Sequence, residues 1–256
     1  MSNKKNSVDI IMPNFNKGKF LEEAIKSVLK QSFTKWKLYI IDDNSNDNSR
    51  KIIEKYKKIP KIKSFFLKKN KGPSFCRNLV LKKSKAKFIA FLDSDDYWNK
   101  NKLKSQINFM LKKKYPFTFT DYIPLIQNGS FKKALKSTKI DKEFNINKFI
   151  RNSSINTSTM ILERKYIKKL KFRDLSLMED YIFKCELMKK SKFSFKKYPA
   201  TSAVYRIIKK SRSSKKIYNL FSLWILNKKY NKLNFIQNFI SLVLISFNSI
   251  KKYGFK

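Results

Sequence analysis

The residues best able to do chemistry are carboxylates, because this chain of 256 residues contains no histidine. Imidazole triads, His-ligated zinc and histidine acid/base catalysis are excluded, so a proton moved at neutral pH must pass through Asp or Glu. Asp93-Ser94-Asp95-Asp96 directly follows an apolar run. Carboxylates two apart in a turn project to one side, and their hard oxygens suit Mg2+ or Mn2+ holding a diphosphate. A capped acidic loop ahead of a helix starting near Asn99 is the other reading. Asp43 ends a neighbouring apolar run, so four carboxylates gather in a chain with 18 acidic residues against 60 Lys and Arg. Pairing of that cluster with Lys100 and Lys102 explains it poorly, since surface ion pairs contribute little. Arg77, in a chain where lysine far outnumbers arginine, carries a fork that suits phosphate oxygens or a carboxylate in the same crevice, with plain solvation as the alternative. Asp180 lies beside Glu179 in an apolar stretch. It is the candidate general base, with its proton affinity tuned upward, and helix capping is the competing reading.

Positioning these groups requires strands that end where they begin. Val8 to Met12 is a short apolar run stopped by Pro13-Asn14, which predicts a buried strand reaching a loop. Phe20, Leu21, Ala24, Ile25, Val28 and Leu29 recur at helical spacing. Leu38 to Ile41 predicts a second strand, and the turn Asp42 to Asp47 is rich in helix-capping residues, leading into a helix to about Lys58. Ile62 to Leu67 reads as a strand, Gly72-Pro73 as the start of a helix through Leu81, and Phe88 to Leu92 as the most apolar strand. Strands alternating with helices predict parallel pairing and a doubly wound α/β sheet, whose ligands bind at the carboxyl ends of the strands. The clusters Pro13–Asn16, Asp42–Asp47 and Asp93–Asp96 therefore face one crevice. Further on, a helix is expected over Leu103–Leu111 and a strand over Phe117–Asp121. Periodicity then weakens until Thr157–Leu162, and a helix follows that holds Glu179 and Asp180 in its first turn.

The bulk composition fits an enzyme with a real core: 42% hydrophobic and 15% aromatic residues argue against disorder. Cys76 and Cys185 are too few for a disulfide scaffold and lack metal-ligand spacing. The formal charge of +42 implies attraction to polyanions, although an AT-rich genome would also raise lysine. No acidic residue follows Glu186, which leaves an undiluted positive field over the C-terminal quarter. Met1 to Ser7 is short and polar, without an apolar run of signal-peptide type, and predicts a cytoplasmic location.

Five motifs in order resemble the large inverting glycosyltransferase family 2 with the GT-A nucleotide-sugar-binding fold. They are Asp9 to Asn16, Phe20 to Phe33, Ile41 to Asp47, Gly72 with Cys76-Arg77-Asn78, and Phe91 to Asp96. The resemblance implies a UDP-sugar donor and a glycan or lipid-linked acceptor of bacterial surface-polysaccharide type. Pro13, Phe15 and Asn16 then border the nucleotide, with Asp43 on the base, Arg77 and Ser94 in the same nucleotide-sugar set, and Asp93 and Asp95 holding Mn2+ or Mg2+. Met178-Glu179-Asp180-Tyr181 is similar to the family's acidic motif, which makes Asp180 the base that takes the acceptor's proton. Phe15 replaces the more usual Tyr. Many members carry a late metal-binding His after a strand resembling Ala203 to Arg206, whereas this chain has Ile208 near that place; the basic loop Lys209–Lys216 is a substitute source of positive charge for the diphosphate.

The expected organisation is a catalytic domain over 1–210 and a basic helical extension over 211–256. Phe235 to Ile250 forms a helix of about 24 Å, short of a hydrocarbon core of about 30 Å, with a polar stripe of Asn234, Asn238, Ser241 and Asn248. Flanking lysines suit an in-plane helix peripheral on the inner, anionic face of a membrane; packing on the core is the alternative. Two other function classes stand beside the transferase: a non-catalytic member of the same fold, made credible by the missing His, and a basic RNA-binding protein. The absence of any recognised RNA-binding motif disfavours the latter, so no specific nucleic acid is expected.

Overall fold

The computed structural model describes residues 6–167, 169–208 and 216–254. Its first half is the expected alternation: β1 (Val8–Asn14), α1 (Gly18–Leu29), β2 (Trp36–Asp42), α2 (Ser49–Tyr56), β3 (Ile62–Phe66), α3 (Gly72–Lys83) and β4 (Phe88–Phe91). Then come β5 (Tyr97–Trp98), α4 (Lys102–Lys113), β6 (Phe117–Asn128), β7 (Phe131–Ala134), β8 (Glu143–Phe144), α5 (Ile146–Asn152) and β9 (Ile161–Glu163). The last elements are α6 (Glu179–Ser191), β10 (Phe195–Ile207), α7 (Lys216–Leu226) and α8 (Phe235–Tyr253).

The sheet runs β3-β2-β1-β4-β9-β6-β10-β5. Parallel pairing of β2 and β4 with β1, and of β3 with β2, puts four carboxyl ends on one edge. The antiparallel β9 sits between β4 and β6, which restores the β4 direction in β6 and β10. Central strands carry apolar side chains on both faces because helices cover both: Ile10, Ile11, Leu38, Ile40, Ile89 and Phe91 are fully buried.

The stretch where periodicity fades turned out to be ordered. β6 continues to Asn128 and folds back as a hairpin onto β7, while β10 meets β6 through two register shifts between Lys197 and Ala203. Irregular pairing of that kind leaves no clean alternation in sequence. Tight approaches fix the turns near the strand ends. Gly18 lies so close to Asn48 that a Cβ there would sit 1.7 Å from Oδ1, and Gly72 holds a φ of +79°, a region that side chains disfavour.

α8 spans 19 residues and closes with Gly254, and at about 1.5 Å per residue it is roughly 28 Å long. Among the described residues no helix is long and apolar enough to cross a membrane. The basic loop expected to support the diphosphate, Lys209–Lys216, falls outside the described residues except for the first backbone position of α7.

Candidate active site

The tips of β1 and β2 are stitched together by short polar side chains. Asn14 Nδ2 donates to Asp42 Oδ1 at 2.8 Å, Ser45 Oγ donates to the same carboxyl at 2.6 Å, and Asn16 N donates to Ser45 Oγ at 3.0 Å. Asn16 and Asn44 both take positive φ, 51° and 64°, a conformation that asparagine tolerates better than most residues. Phe15 stands half-exposed between these stitches and Pro13 is partly covered, so the tip presents a ring at its edge.

Asp43 is buried, and its two carboxylate oxygens accept from Lys71 N and Gly72 N at 2.7 Å each. It thereby fastens the start of α3, where Pro73 fits because the first turn needs fewer N–H donors. Asp43 acts on the loop it holds, and no group of three carboxylates that includes it is placed to hold a metal among the described residues.

The Asp93–Asp96 loop splits its carboxylates between two environments. Asp93 and Asp95 stay partly exposed, with Arg77 2.8 Å from Asp93 Oδ1 and Lys17 2.7 Å from Asp95 Oδ2. These partners replace Lys100 and Lys102, the pair considered from sequence. Lys102 turns instead into the core, onto Gln106 at 2.9 Å, where burial brings its pKa down to about 7. Asp96 points inward, accepting from Ser158 Oγ at 2.6 Å and from Arg206 N at 2.9 Å. Burial, then the neighbouring Asp95 and Asp93, push the Asp96 carboxyl well above its usual range. Ser94 is buried within the loop. Arg206 braces the same loop through Asp95 O and reaches Glu23 at 2.6 Å on α1.

Arg77 is neither solvated nor free for phosphate. It is buried in α3 between Asp93 and Glu179, 3.2 Å from the latter, and its guanidinium lies 5.2 Å from the Phe172 ring centroid. Burial works against its charge, but Asp93, Glu179 and Asp180 outweigh that and hold its pKa above the ordinary value. One guanidinium therefore ties the loop after β4 to the first turn of α6.

Asp180 follows Glu179 in that first turn, as the spacing predicted, with about a third of its side chain exposed. Its electrostatics correct the sequence expectation. Burial opposes ionisation, but Lys184 at 2.7 Å, with Arg77 and Thr157, outweighs burial and holds the carboxyl well below the usual carboxylate range. Lys184 is itself buried and also donates to Ile155 O at 2.8 Å. The i, i+4 spacing of Asp180 and Lys184 was a legible signal for this pair. Lys17 and Arg206 carried no such signal, because lysine is everywhere in this chain and Arg206 acts through distant partners, while Asp96 stood in the acidic cluster with nothing local to show its inward partners. Cys76 and Cys185 are free and buried, and burial pushes each thiol up to about 12, so neither is a thiolate at neutral pH.

Among the described residues no group of three His, Cys, Asp or Glu is placed to hold a metal. Asp93 and Asp95 offer two hard carboxylates, which fits a cation shared with phosphate oxygens and not a cage of protein ligands.

Comparison with known proteins identifies the family and the fold. The family model described as Glycosyl transferase family 2 matches residues 9–195. The Escherichia coli enzyme WfgD, a UDP-Glc:alpha-D-GlcNAc-diphosphoundecaprenol beta-1,3-glucosyltransferase, is 33% identical over 97% of this chain and 95% of its own. Among solved structures, residues 1–349 of Staphylococcus aureus TarS with UDP-GlcNAc superpose with a TM-score of 0.68 at 21% identity, covering 96% of this chain and 73% of that one. The mannosyltransferase PcManGT of Pyrobaculum calidifontis, in complex with GDP-Man and Mn2+, gives a TM-score of 0.67 at 12% identity, over 97% and 76%. With most of its length matched by the family model and the α/β sheet arranged as in these enzymes, the chain belongs to glycosyl transferase family 2.

Proposed function

We propose that the chain transfers one sugar from a UDP-sugar to a glycan or lipid-linked saccharide during cell-surface polysaccharide synthesis, with inversion at the anomeric carbon. Two of the compared proteins carry UDP-sugars in their names or titles, and one of these names a diphosphoundecaprenol-linked acceptor. The observation that carries the reading is the Asp93–Arg77–Glu179 bridge, which sets the loop after β4 and the Asp180 end of α6 on either side of one buried cation.

In this reading Pro13, Phe15 and Asn16 border the nucleobase, and Asp43 shapes that subsite by holding Lys71 and Gly72. Asp93 and Asp95 would hold Mn2+ or Mg2+ together with the diphosphate, and such a cation, when bound, supplies charge neutralisation for the leaving group. Lys17 is already within reach of Asp95 and adds a positive charge at the same place. The acceptor hydroxyl oxygen forms the new bond to the anomeric carbon while the bond from that carbon to the phosphate oxygen breaks, and UDP departs with the electron pair. Asp180 receives the hydroxyl proton. Lys184 keeps Asp180 ionised and ready to accept it, at the cost of a weaker base.

The test is UDP release from a panel of UDP-sugars with Mn2+ and a lipid-linked acceptor, comparing wild type with Asp95→Ala and Asp180→Asn. Both substitutions are expected to lower transfer by at least about 100-fold, the scale of a lost acid/base contribution. Equal turnover in all three proteins sinks the assignment.

A further inference from the structure

α8 packs against the protein with the wrong side for a soluble helix. Asn238 and Ser241 are buried, while Phe235, Ile236, Phe239, Val243 and Phe247 face outward, Phe235 and Ile236 at 73% and 68% exposure. The polar side is satisfied within a closed network. Asn227, in the turn after α7, donates to Asn238 Oδ1 and Ser241 Oγ at 3.1 Å each and accepts from Tyr181 OH at 2.8 Å; Asn238 Nδ2 donates to Trp224 O at 2.9 Å. α7 continues the apolar surface with Tyr218, Phe221 and Ile225, all exposed and spaced along one helical face. The edge contact of Trp224 with Phe235, 5.3 Å between centroids, joins the two helices.

A contiguous apolar face of this kind marks an interaction site, and its border says with what. Lys228, Lys229 and Lys232 are exposed at one end of α8 and Lys251 at the other. Alongside runs a groove of about 430 Å³ between α5 and α8, lined in part by Lys148, Arg151, Asn152 and Asn248. No acidic residue occurs anywhere after Glu186, so two copies meeting through this face would bring like charges together along both rims. Hydrocarbon against the apolar stripe and anionic headgroups against its lysines satisfy both features at once.

We infer that the α7–α8 face is a docking surface for an anionic lipid bilayer, in which the apolar side chains enter the headgroup and upper acyl region while the rest of the chain stays in water. Docking is also tied to the candidate base. Ser241 Oγ donates to Ile150 O and Lys252 donates to Ser154 Oγ at 2.9 Å, while from the same segment Thr157 Oγ1 donates to Asp180 and Ile155 O accepts from Lys184, the α6 residue paired with Asp180. The docking face and the Asp180 end of α6 thus share contacts with residues 150–157. The inference stands on the exposed face and its charges, independently of donor or acceptor identity.

The test is co-sedimentation of the full chain, without sugar substrates, with phosphatidylcholine vesicles and with vesicles containing about 30 mol % phosphatidylglycerol. Wild type is compared with the triple variant Ile236→Gln, Phe239→Gln, Phe247→Gln and with Lys228→Gln, Lys229→Gln, Lys232→Gln. All six positions are exposed, and thermal unfolding together with UDP release in the absence of vesicles reports whether each variant remains folded and basally active. Expected is binding of wild type to the anionic vesicles, weakened at least about tenfold by the apolar triple and reduced by the lysine triple or by raised salt. Three results overturn the inference: no pelleting of wild type with either vesicle, pelleting of the apolar triple equal to wild type, or a wild-type dimer that the apolar triple dissociates while vesicle binding is unchanged. The last would assign the face to a second copy. Because sugar substrates are absent from the sedimentation, failure here leaves the transferase reading intact, and failure of that reading leaves this result standing.

Discussion

Replacing Arg77 by methionine isolates the bridge on which the site's geometry depends. Methionine keeps apolar packing near Phe172 but removes the cation that lies 2.8 Å from Asp93 and 3.2 Å from Glu179. Removing one partner of a buried ion pair costs about 3–5 kcal/mol. Two features of the structure select the low end. Asp93 is about one-third exposed and rehydrates once freed, and Arg77 Nε is buried without a hydrogen-bond partner among the described residues, a penalty that methionine removes. At roughly 2–4 °C per kcal/mol for chains of this order of size, a loss of about 3 kcal/mol lowers the melting temperature by about 6–12 °C. Thermal unfolding followed by circular dichroism at pH 7.5 measures it. Glu179→Gln completes a double-mutant cycle: with the guanidinium gone, neutralising Glu179 relieves crowding among Asp93, Glu179 and Asp180, so the double variant should be less destabilised than the sum of the singles by about 1–2 kcal/mol. A melting temperature within about 2 °C of wild type for Arg77→Met, or strictly additive singles, refutes the bridge as the element joining loop and helix.

Four further outcomes follow from the same geometry. Because Lys184 keeps Asp180 below the ordinary carboxylate range, kcat/KM should show no acid limb from base protonation between about pH 8 and pH 5, and a midpoint near pH 6 in that profile contradicts the assignment. Asp96 has a raised folded pKa, so the native state holds a proton that the unfolded chain releases; its contribution is full below the unfolded value and is lost as pH rises through the folded one. Asp96→Asn should flatten that fall in urea titrations at a series of pH values, and an unchanged slope counts against it. Lys102 has the opposite linkage: with its folded pKa at about 7, stability rises with pH from there toward the unfolded lysine value, and Lys102→Met should remove that rise in the same titrations. Gly18→Ala should destabilise by about 1–3 kcal/mol through the clash with Asn48, and Asn48→Ala in the same chain should recover most of it.

The first hundred residues were legible because each strand is a short apolar run that ends in polar residues, and each helix carries its apolar face at regular spacing. β1, β2, β4, α1 and α3 needed no tertiary information. Asp93, Asp95 and Asp180 stand out as candidates for a related reason, being carboxylates at element ends in a chain poor in acid. The fate of each carboxylate was not legible. Nothing local distinguishes Asp95, which meets Lys17, from Asp96, which turns inward to Ser158 and Arg206 from remote segments. Asp43 and Arg77 were expected at the candidate site, but their partners lie 16 to 102 residues away. The upward tuning that the acidic neighbour of Asp180 suggests is outweighed by Lys184 one turn later. α8 was correctly located, and its polar stripe was seen, but periodicity gives only the existence of two faces and cannot say which one meets the protein.

Direct binding of UDP, followed by calorimetry with Mn2+ present, separates donor site from base. The account predicts that Asp180→Asn binds UDP within about threefold of wild type while transfer is lost, and that Asp95→Ala weakens UDP binding at least about tenfold. Equal loss of UDP affinity in both variants, or none in Asp95→Ala, would contradict a nucleotide held at the β4 loop with a separate base at the start of α6.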